Sequence, residues 1–299
     1  MKYIESFLNH LKLNHYAKRT INSYFYNLKK LDTYFNEIGI EDEKLITEKY
    51  IIDYLGQLKN KGATQGVYYR TTYEIKKYFK YLEIENIIFI SPTANIELPK
   101  DVRVPTKVLS KKEITTLLDN IKTDNPQGVR VKTILELLYS SALRPGEVTN
   151  IKIADIDFNK KILFIRLSKN KKDRVVPVTE KAIYWIEKYI KEVRPKFLKN
   201  FNNNYLFIPH YKPCNKEKLN YRDIFFIIRR YFIKNNLKRF KLYSLRSSSS
   251  THLLLNGMSI LHIQKLLGHN KVTTTKTYLQ LKTRELKSIL NTNHPRNKY

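Results

Sequence analysis

One cysteine, Cys214, is the whole of this chain's thiol content. A lone cysteine excludes an internal disulfide and any cysteine-rich zinc site, and Cys214 lies between Pro213 and Asn215 in a polar stretch without a histidine at metal-ligand spacing. Acidic side chains are scarce too: 27 Asp+Glu stand against 56 Lys+Arg, a net charge of +29. That imbalance points to a polyanionic partner, either nucleic acid or an anionic membrane surface. Long apolar runs are missing as well. Nothing approaches the roughly 20 residues that span a bilayer, and "MKYIESFLNHLKLNH" is broken by charges where a signal peptide is continuously apolar. A cytoplasmic protein with no membrane contact is the resulting expectation.

What is present is enough for two domains: 299 residues, 42% of them hydrophobic. The charge is unevenly spread. Residues 1–100 carry 15 Lys+Arg against 12 Asp+Glu, leaving 41 against 15 for the rest, so the excess is +3 and then +26. Between Arg194 and Lys241 there are 13 basic residues and only two acids, Glu217 and Asp223, interleaved with Tyr205, Tyr211, Tyr221 and Tyr231. Basic residues among aromatics suit a phosphate backbone. A solvated basic face that keeps the protein soluble is the plainer alternative.

Periodicity divides the chain. Helices are predicted near 1–13, 18–38, 44–60 and 66–82; in the second, Ile21, Tyr24, Phe25, Leu28, Leu31 and Phe35 form one apolar face. "SPTANIELPKDVRVPTKVLS" carries three prolines and no helical period, which reads as a linker. The expected organisation is a helical domain at 1–90, a linker at 91–108 and a second domain at 109–299. In the latter, Ser110 and Glu113 have capping-box spacing for a helix to about 120, and another is predicted at 128–142. "KILFIRL", "SKNKKD" and "RVVPV" read as a β-hairpin around a polar turn, followed by a helix that Thr179 can cap. Further helices are predicted at 221–235, 243–256, 258–267, 271–279 and 282–290, with Gly257 and Gly268 at positions suited to positive φ. The fold class is mainly α with a small antiparallel β-sheet.

Candidate site residues have ordinary readings one by one. Arg144 can cap the end of an apolar helix, Lys169 can be a solvated loop lysine, Arg246 a surface residue, His269 a polar loop residue and Tyr278 one more among 22 tyrosines. Together they form a pattern. "LLYSSALRPGEVTNIKIADID", "LSKNKKDRVVPV", "YSLRSSSSTHLLLNG" and "LGHNKVTTTKTYLQL" follow one another, and this succession resembles the tyrosine recombinase, or phage integrase, family. His269 and Tyr278 lie 23 and 32 residues after Arg246, as in that family. "FLNHLKLNHYAKRTINSYFYNLKKLDTYF" resembles its amino-terminal DNA-clamping domain, of the SAM-like core-binding type. The end, "LKTRELKSILNTNHPRNKY", is similar to the tails of the Xer recombinases.

The resemblance implies an enzyme that cuts and rejoins duplex DNA through a 3′-phosphotyrosyl intermediate, as a two-domain clamp without cofactor or metal. Arg144 and Arg246 would hold the phosphate, two guanidiniums that keep their charge near neutral pH. Tyr278 would be the nucleophile, Lys169 the general acid, with Lys171 and Lys172 as alternatives, and His269 a hydrogen-bond donor to the phosphate. The family's usual His-x-Leu-Arg-His reads here Tyr243, Ser244, Leu245, Arg246, Ser247. A phenol at Tyr243 donates a hydrogen bond but does not shuttle protons near neutrality as an imidazole does, so a slower or differently tuned enzyme is expected. Ser247 to Ser250 read as small packing residues, and His252 as buried structure.

Implied partners are a specific double-stranded recombination site and a homo-tetramer, or a hetero-tetramer with a second recombinase. The tail after Tyr278 would dock on a neighbouring subunit. A Xer-like role would be resolution of chromosome or plasmid dimers, with a DNA translocase as activator. A mobile-element integrase or transposase shares the chemistry, as does a type IB topoisomerase. A DNA-binding architectural protein that has lost catalysis is the reading from another class, and Tyr243 is its support.

Overall fold

A computed structural model describes residues 1–99, 107–166, 173–198, 203–209, 217–238 and 240–268. It divides into two compact units, Met1–Val104 and Pro105–Tyr299. Among the described residues no helix is long and apolar enough to cross a membrane.

The first unit is built from α1 (Ile4–Leu13), α2 (Lys18–Glu37), α3 (Glu48–Asn60) and α4 (Gln65–Ile84). A short 3₁₀ turn, Glu43–Leu45, precedes α3, so the helix predicted from 44 begins later, after Thr47. On α2 the buried stripe is Tyr24, Leu28, Leu31 and Phe35, while Phe25 is exposed and Ile21 only half-buried. A helix advances about 100° per residue, so Phe25 lies a quarter-turn beyond Tyr24 and leaves the core-facing stripe. That stripe meets Phe7 and Leu11 of α1 and Ile75, Tyr78 and Phe79 of α4. The segment after α4 turns back on it: the Lys76 ammonium donates to the Thr93 and Ile96 carbonyls.

The second unit contains α5 (Lys111–Asp119), α6 (Pro126–Ser140) and the one-turn α7 (Pro145–Val148). The predicted capping box is present on α5: Ser110 Oγ accepts from the Glu113 main-chain N at 3.1 Å, and Glu113 accepts from Ser110 N at 2.8 Å. Helix α6 starts two residues earlier than predicted. Asn125 caps it by accepting from Gly128 N at 2.9 Å, and Pro126 occupies the first helical position, where no N–H is needed. Its middle, from Val129 to Leu138, is buried all round and forms the centre of this unit's core.

Three antiparallel strands follow, β1 (Ile156–Asp157), β2 (Ile162–Ile165) and β3 (Arg174–Pro177), in the order β1-β2-β3. The hairpin is the predicted one, with Leu163 opposite Val176 and both turned to the core. Strand β1 is an addition, too short at two residues to show any alternation in the sequence. Thr179 caps α8 (Glu180–Lys188), accepting from Ala182 N, and the helical path continues through a π turn, Tyr189–Val193, into α9 (Arg194–Leu198). Last come α10 (Tyr221–Lys234), α11 (Leu242–Leu255) and α12 (Ile260–Leu267). Gly257 and Gly268 both have positive φ, 91° and 62°, as expected. The helices predicted at 271–279 and 282–290 lie outside the described residues, as does Cys214.

Candidate active site

Glu147 is the point from which the site is built. Pro145 starts α7 abruptly after Arg144, and the Glu147 carboxylate folds back to accept from the Arg144 main-chain N at 2.8 Å. The same carboxylate takes a guanidinium hydrogen bond from Arg144 Nη1 at 2.8 Å. From β3, Arg174 brings a two-pronged fork: Nη1 and Nη2 each donate to one carboxylate oxygen at 2.9 Å. Arg246, from α11, holds its Nη1 3.9 Å from the carboxylate. Three guanidiniums thus surround one carboxylate, a local excess of two positive charges. Burial pushes the Glu147 carboxyl upward, but the Arg174 fork and charge, the Arg144 main-chain N–H and the charge of Arg246 outweigh it, and the group stays below the usual carboxylate range.

Arg246 has 0% exposure. Two of its five donors go to backbone carbonyls, Nη1 to Ala142 at 2.7 Å and Nη2 to Leu267 at 2.8 Å. Those two carbonyls sit at chain turns. Ala142 has φ 47°, a left-handed value that points its carbonyl back toward α11, and Leu267 ends α12 just before the left-handed Gly268. Both predicted clamp residues, Arg144 and Arg246, are therefore brought to one carboxylate from different elements.

Tyr243 lies three residues before Arg246 on α11 and is 39% exposed, whereas Arg246 is enclosed. The serine run is interior, as its small side chains suggest. Ser248 Oγ accepts from Leu109 N at 2.8 Å, and Ser250 Oγ donates to the Arg246 carbonyl at 2.8 Å. His252 is buried, its Nδ1 2.8 Å from Tyr139 Oη. Burial, then the charge of Lys111, pull its imidazole below the ordinary value against an opposing hydrogen bond to the Leu109 backbone. Lys169, with Lys171 and Lys172, lies outside the described residues, and so do His269 and Tyr278. On either side of the lysines the described residues are fixed: Arg166, after β2, donates from Nε to Asp155 at 2.6 Å, and Arg174 opens β3 on Glu147.

Arg174 is the residue that motif reading overlooks. Its signal was the strand's own alternation, since Arg174 and Val176 share the inward face of "RVVPV" and a charge on that face needs a buried partner.

A helical unit followed by a mostly helical unit with a three-stranded sheet and clustered arginines is an arrangement suited to holding a phosphate. The family model described as "Phage integrase family" matches residues 107–285, and "Phage integrase, N-terminal SAM-like domain" matches 4–86. The chain belongs to this phage integrase, or tyrosine recombinase, family. It is 31% identical to tyrosine recombinase XerD of Staphylococcus saprophyticus, covering 98% of both proteins. It is 29% identical to tyrosine recombinase XerC 2 of Ralstonia nicotianae, covering 98% of this chain and 86% of that protein. Among solved structures, the Tn1549 transposon integrase in complex with a circular intermediate DNA has TM-score 0.74 at 17% identity, covering 95% of this chain and 98% of that one. XerH site-specific recombinase bound to palindromic difH substrate has TM-score 0.73 at 20% identity, covering 91% and 79%. XerA recombinase has TM-score 0.54 at 24% identity, covering 99% of each chain. These structural likenesses are of fold.

Proposed function

We propose that this chain is a site-specific DNA recombinase that breaks and rejoins duplex DNA through a 3′-phosphotyrosyl link, with Tyr278 as nucleophile. The observation that carries the reading is the meeting of Arg144 and Arg246 at Glu147, with a third arginine beside them. A phosphodiester repels an incoming oxygen until its charge is neutralised, and a buried site with two surplus positive charges does that without rearranging. Fixed donors matter more than flexible ones here, and the hydrogen bonds to Ala142, Leu267 and Glu147 hold the guanidiniums in place. In the proposed step the Tyr278 phenol releases its proton to solvent and its oxygen bonds to phosphorus as the bond to the 5′-oxygen breaks. Lys169 protonates that oxygen, and His269 and Tyr243 donate hydrogen bonds to the phosphoryl oxygens. Because the bond energy is conserved in the link, attack by a second strand's 5′-hydroxyl reseals the DNA.

From the likeness to proteins named as Xer tyrosine recombinases we further propose a tetramer on two paired sites, alone or with a second recombinase, that resolves DNA dimers and is activated by a DNA translocase. Conversion of a plasmid carrying two sites into two circles tests that part.

The chemistry is tested with nicked suicide duplexes whose sequence is recovered by binding selection from a random pool. A covalent protein–DNA adduct on a denaturing gel is expected, abolished by Tyr278→Phe and reduced at least about 100-fold by Arg246→Ala. Binding without any adduct would instead favour an architectural DNA-binding protein, the reading that Tyr243 motivates.

A further inference from the structure

Arg174 opens β3, and the phosphate chemistry above uses only its charge. Its side chain is 10% exposed and makes three directed contacts. The fork takes both oxygens of Glu147, and Nε donates to the Leu266 carbonyl at 3.0 Å. At Gly268 a β-carbon would come within 3.1 Å of Arg174 Cδ, so the turn that ends α12 has closed directly onto this side chain. Each contact leads to a different part of the site. Glu147 holds Arg144 by main chain and side chain. Leu266 precedes Leu267, whose carbonyl holds Arg246, and Gly268 precedes His269 in the sequence.

A guanidinium is a rigid plane. Two prongs fixed on a carboxylate decide where the third donor points, so Arg174 couples the position of Glu147 to the end of α12. Lysine in its place keeps the charge beside Glu147 but offers one ammonium on a flexible stem, which cannot hold both partners in register.

The geometry points to Arg174 as a positioning residue that aligns Arg144 and the last turn of α12, whose Leu267 carbonyl holds Arg246, around the reacting phosphate. This rests on the reading of Arg144 and Arg246 as the phosphate clamp. Displacement of catalytic groups by about 1 Å costs on the order of 100-fold in rate, and that is the scale of effect expected.

The test uses the full chain, as wild type, Arg174→Lys and Arg174→Gln, on the nicked suicide duplex described above. Single-turnover adduct formation is followed across DNA concentration, giving a maximal rate and a half-saturating concentration, and thermal melting is recorded on the same preparations. In Arg174→Lys the maximal rate should fall at least about tenfold, with half-saturation within about threefold of wild type and melting still cooperative. Arg174→Gln, which keeps one donor toward Glu147, replaces it by the same criteria if the lysine variant does not fold.

A maximal rate within tenfold of wild type overturns the proposal, because charge alone then suffices. A loss confined to half-saturation overturns it by making Arg174 a DNA contact. Failure of both variants to melt cooperatively overturns it by making Arg174 a folding residue. A wild-type chain that binds the duplex and forms no adduct refutes the phosphate reading and this inference with it, before any variant is compared.

Discussion

Glu147 is an acid enclosed by three bases, and its charge holds them together. Removing one partner of a buried ion pair leaves the others uncompensated, which costs about 3–5 kcal/mol. Glu147→Gln is therefore expected to lower stability by about 3 kcal/mol at pH 7, read from urea unfolding. The pH dependence has a definite sign. The folded-state carboxyl is held below its ordinary value, so its contribution is complete above the unfolded pKa, about 4.3, and is lost as pH falls through the lower folded value. The stability gap between wild type and Glu147→Gln should accordingly shrink as pH drops below about 4. A gap that persists unchanged at pH 3 would mean that shape rather than charge is what Glu147 supplies. The sequence singles out Arg144 and Arg246 because each sits in a short motif of fixed spacing. Their convergence was not legible there, since it depends on Ala142 and Gly268 turning left-handed and on Arg174 arriving from a strand.

Elements whose start is encoded in two or three adjacent residues were read well, and those set by tertiary contact were not. The capping box of α5 and the Thr179 cap of α8 are local devices, so they appear in the sequence as they do in space. Strand β1 exists only because β2 lies beside it, whereas α11, predicted at 243–256, is present at Leu242–Leu255 although its enclosed serines carry no amphipathic period. Helix α6 supplies the test at this scale. Gly128 lies in its first turn, where alanine ordinarily favours a helix by about 0.8–1.0 kcal/mol. A β-carbon there would be 1.8 Å from the Lys122 carbonyl oxygen, which also accepts from Tyr231 Oη at 2.7 Å. Backbone cannot move aside as a side chain can, and overpacking of this kind costs about 1–3 kcal/mol or more. The clash decides the sign: Gly128→Ala should lower the melting temperature by several degrees, where helix propensity alone predicts a rise. A melting temperature at or above that of wild type would show that the loop from Ile121 to Asn125 yields easily.

The charge of the whole chain is a statement about two unlike halves. The excess of +26 lies beyond residue 100, and the unit that contains it also carries the arginine cluster. Two explanations compete, a surface that tracks the DNA backbone and a lysine-rich surface that serves solubility. They differ in how binding responds to salt. Each phosphate neutralised on DNA releases a condensed counterion, so affinity falls with a log–log slope of about −0.9 per contact. A duplex held by about 6–10 phosphate contacts should lose on the order of 10³–10⁵ in affinity between 50 and 200 mM salt. That is the expected outcome for the full chain on a fluorescent duplex of unselected sequence, followed by anisotropy. The unselected duplex matters, because base contacts add affinity without adding to the slope. A slope shallower than about −3 would mean that most of the basic residues face solvent with DNA bound. The arginine cluster would then act on the single phosphate at the reacting bond, within a protein whose wider surface contributes little to holding the helix.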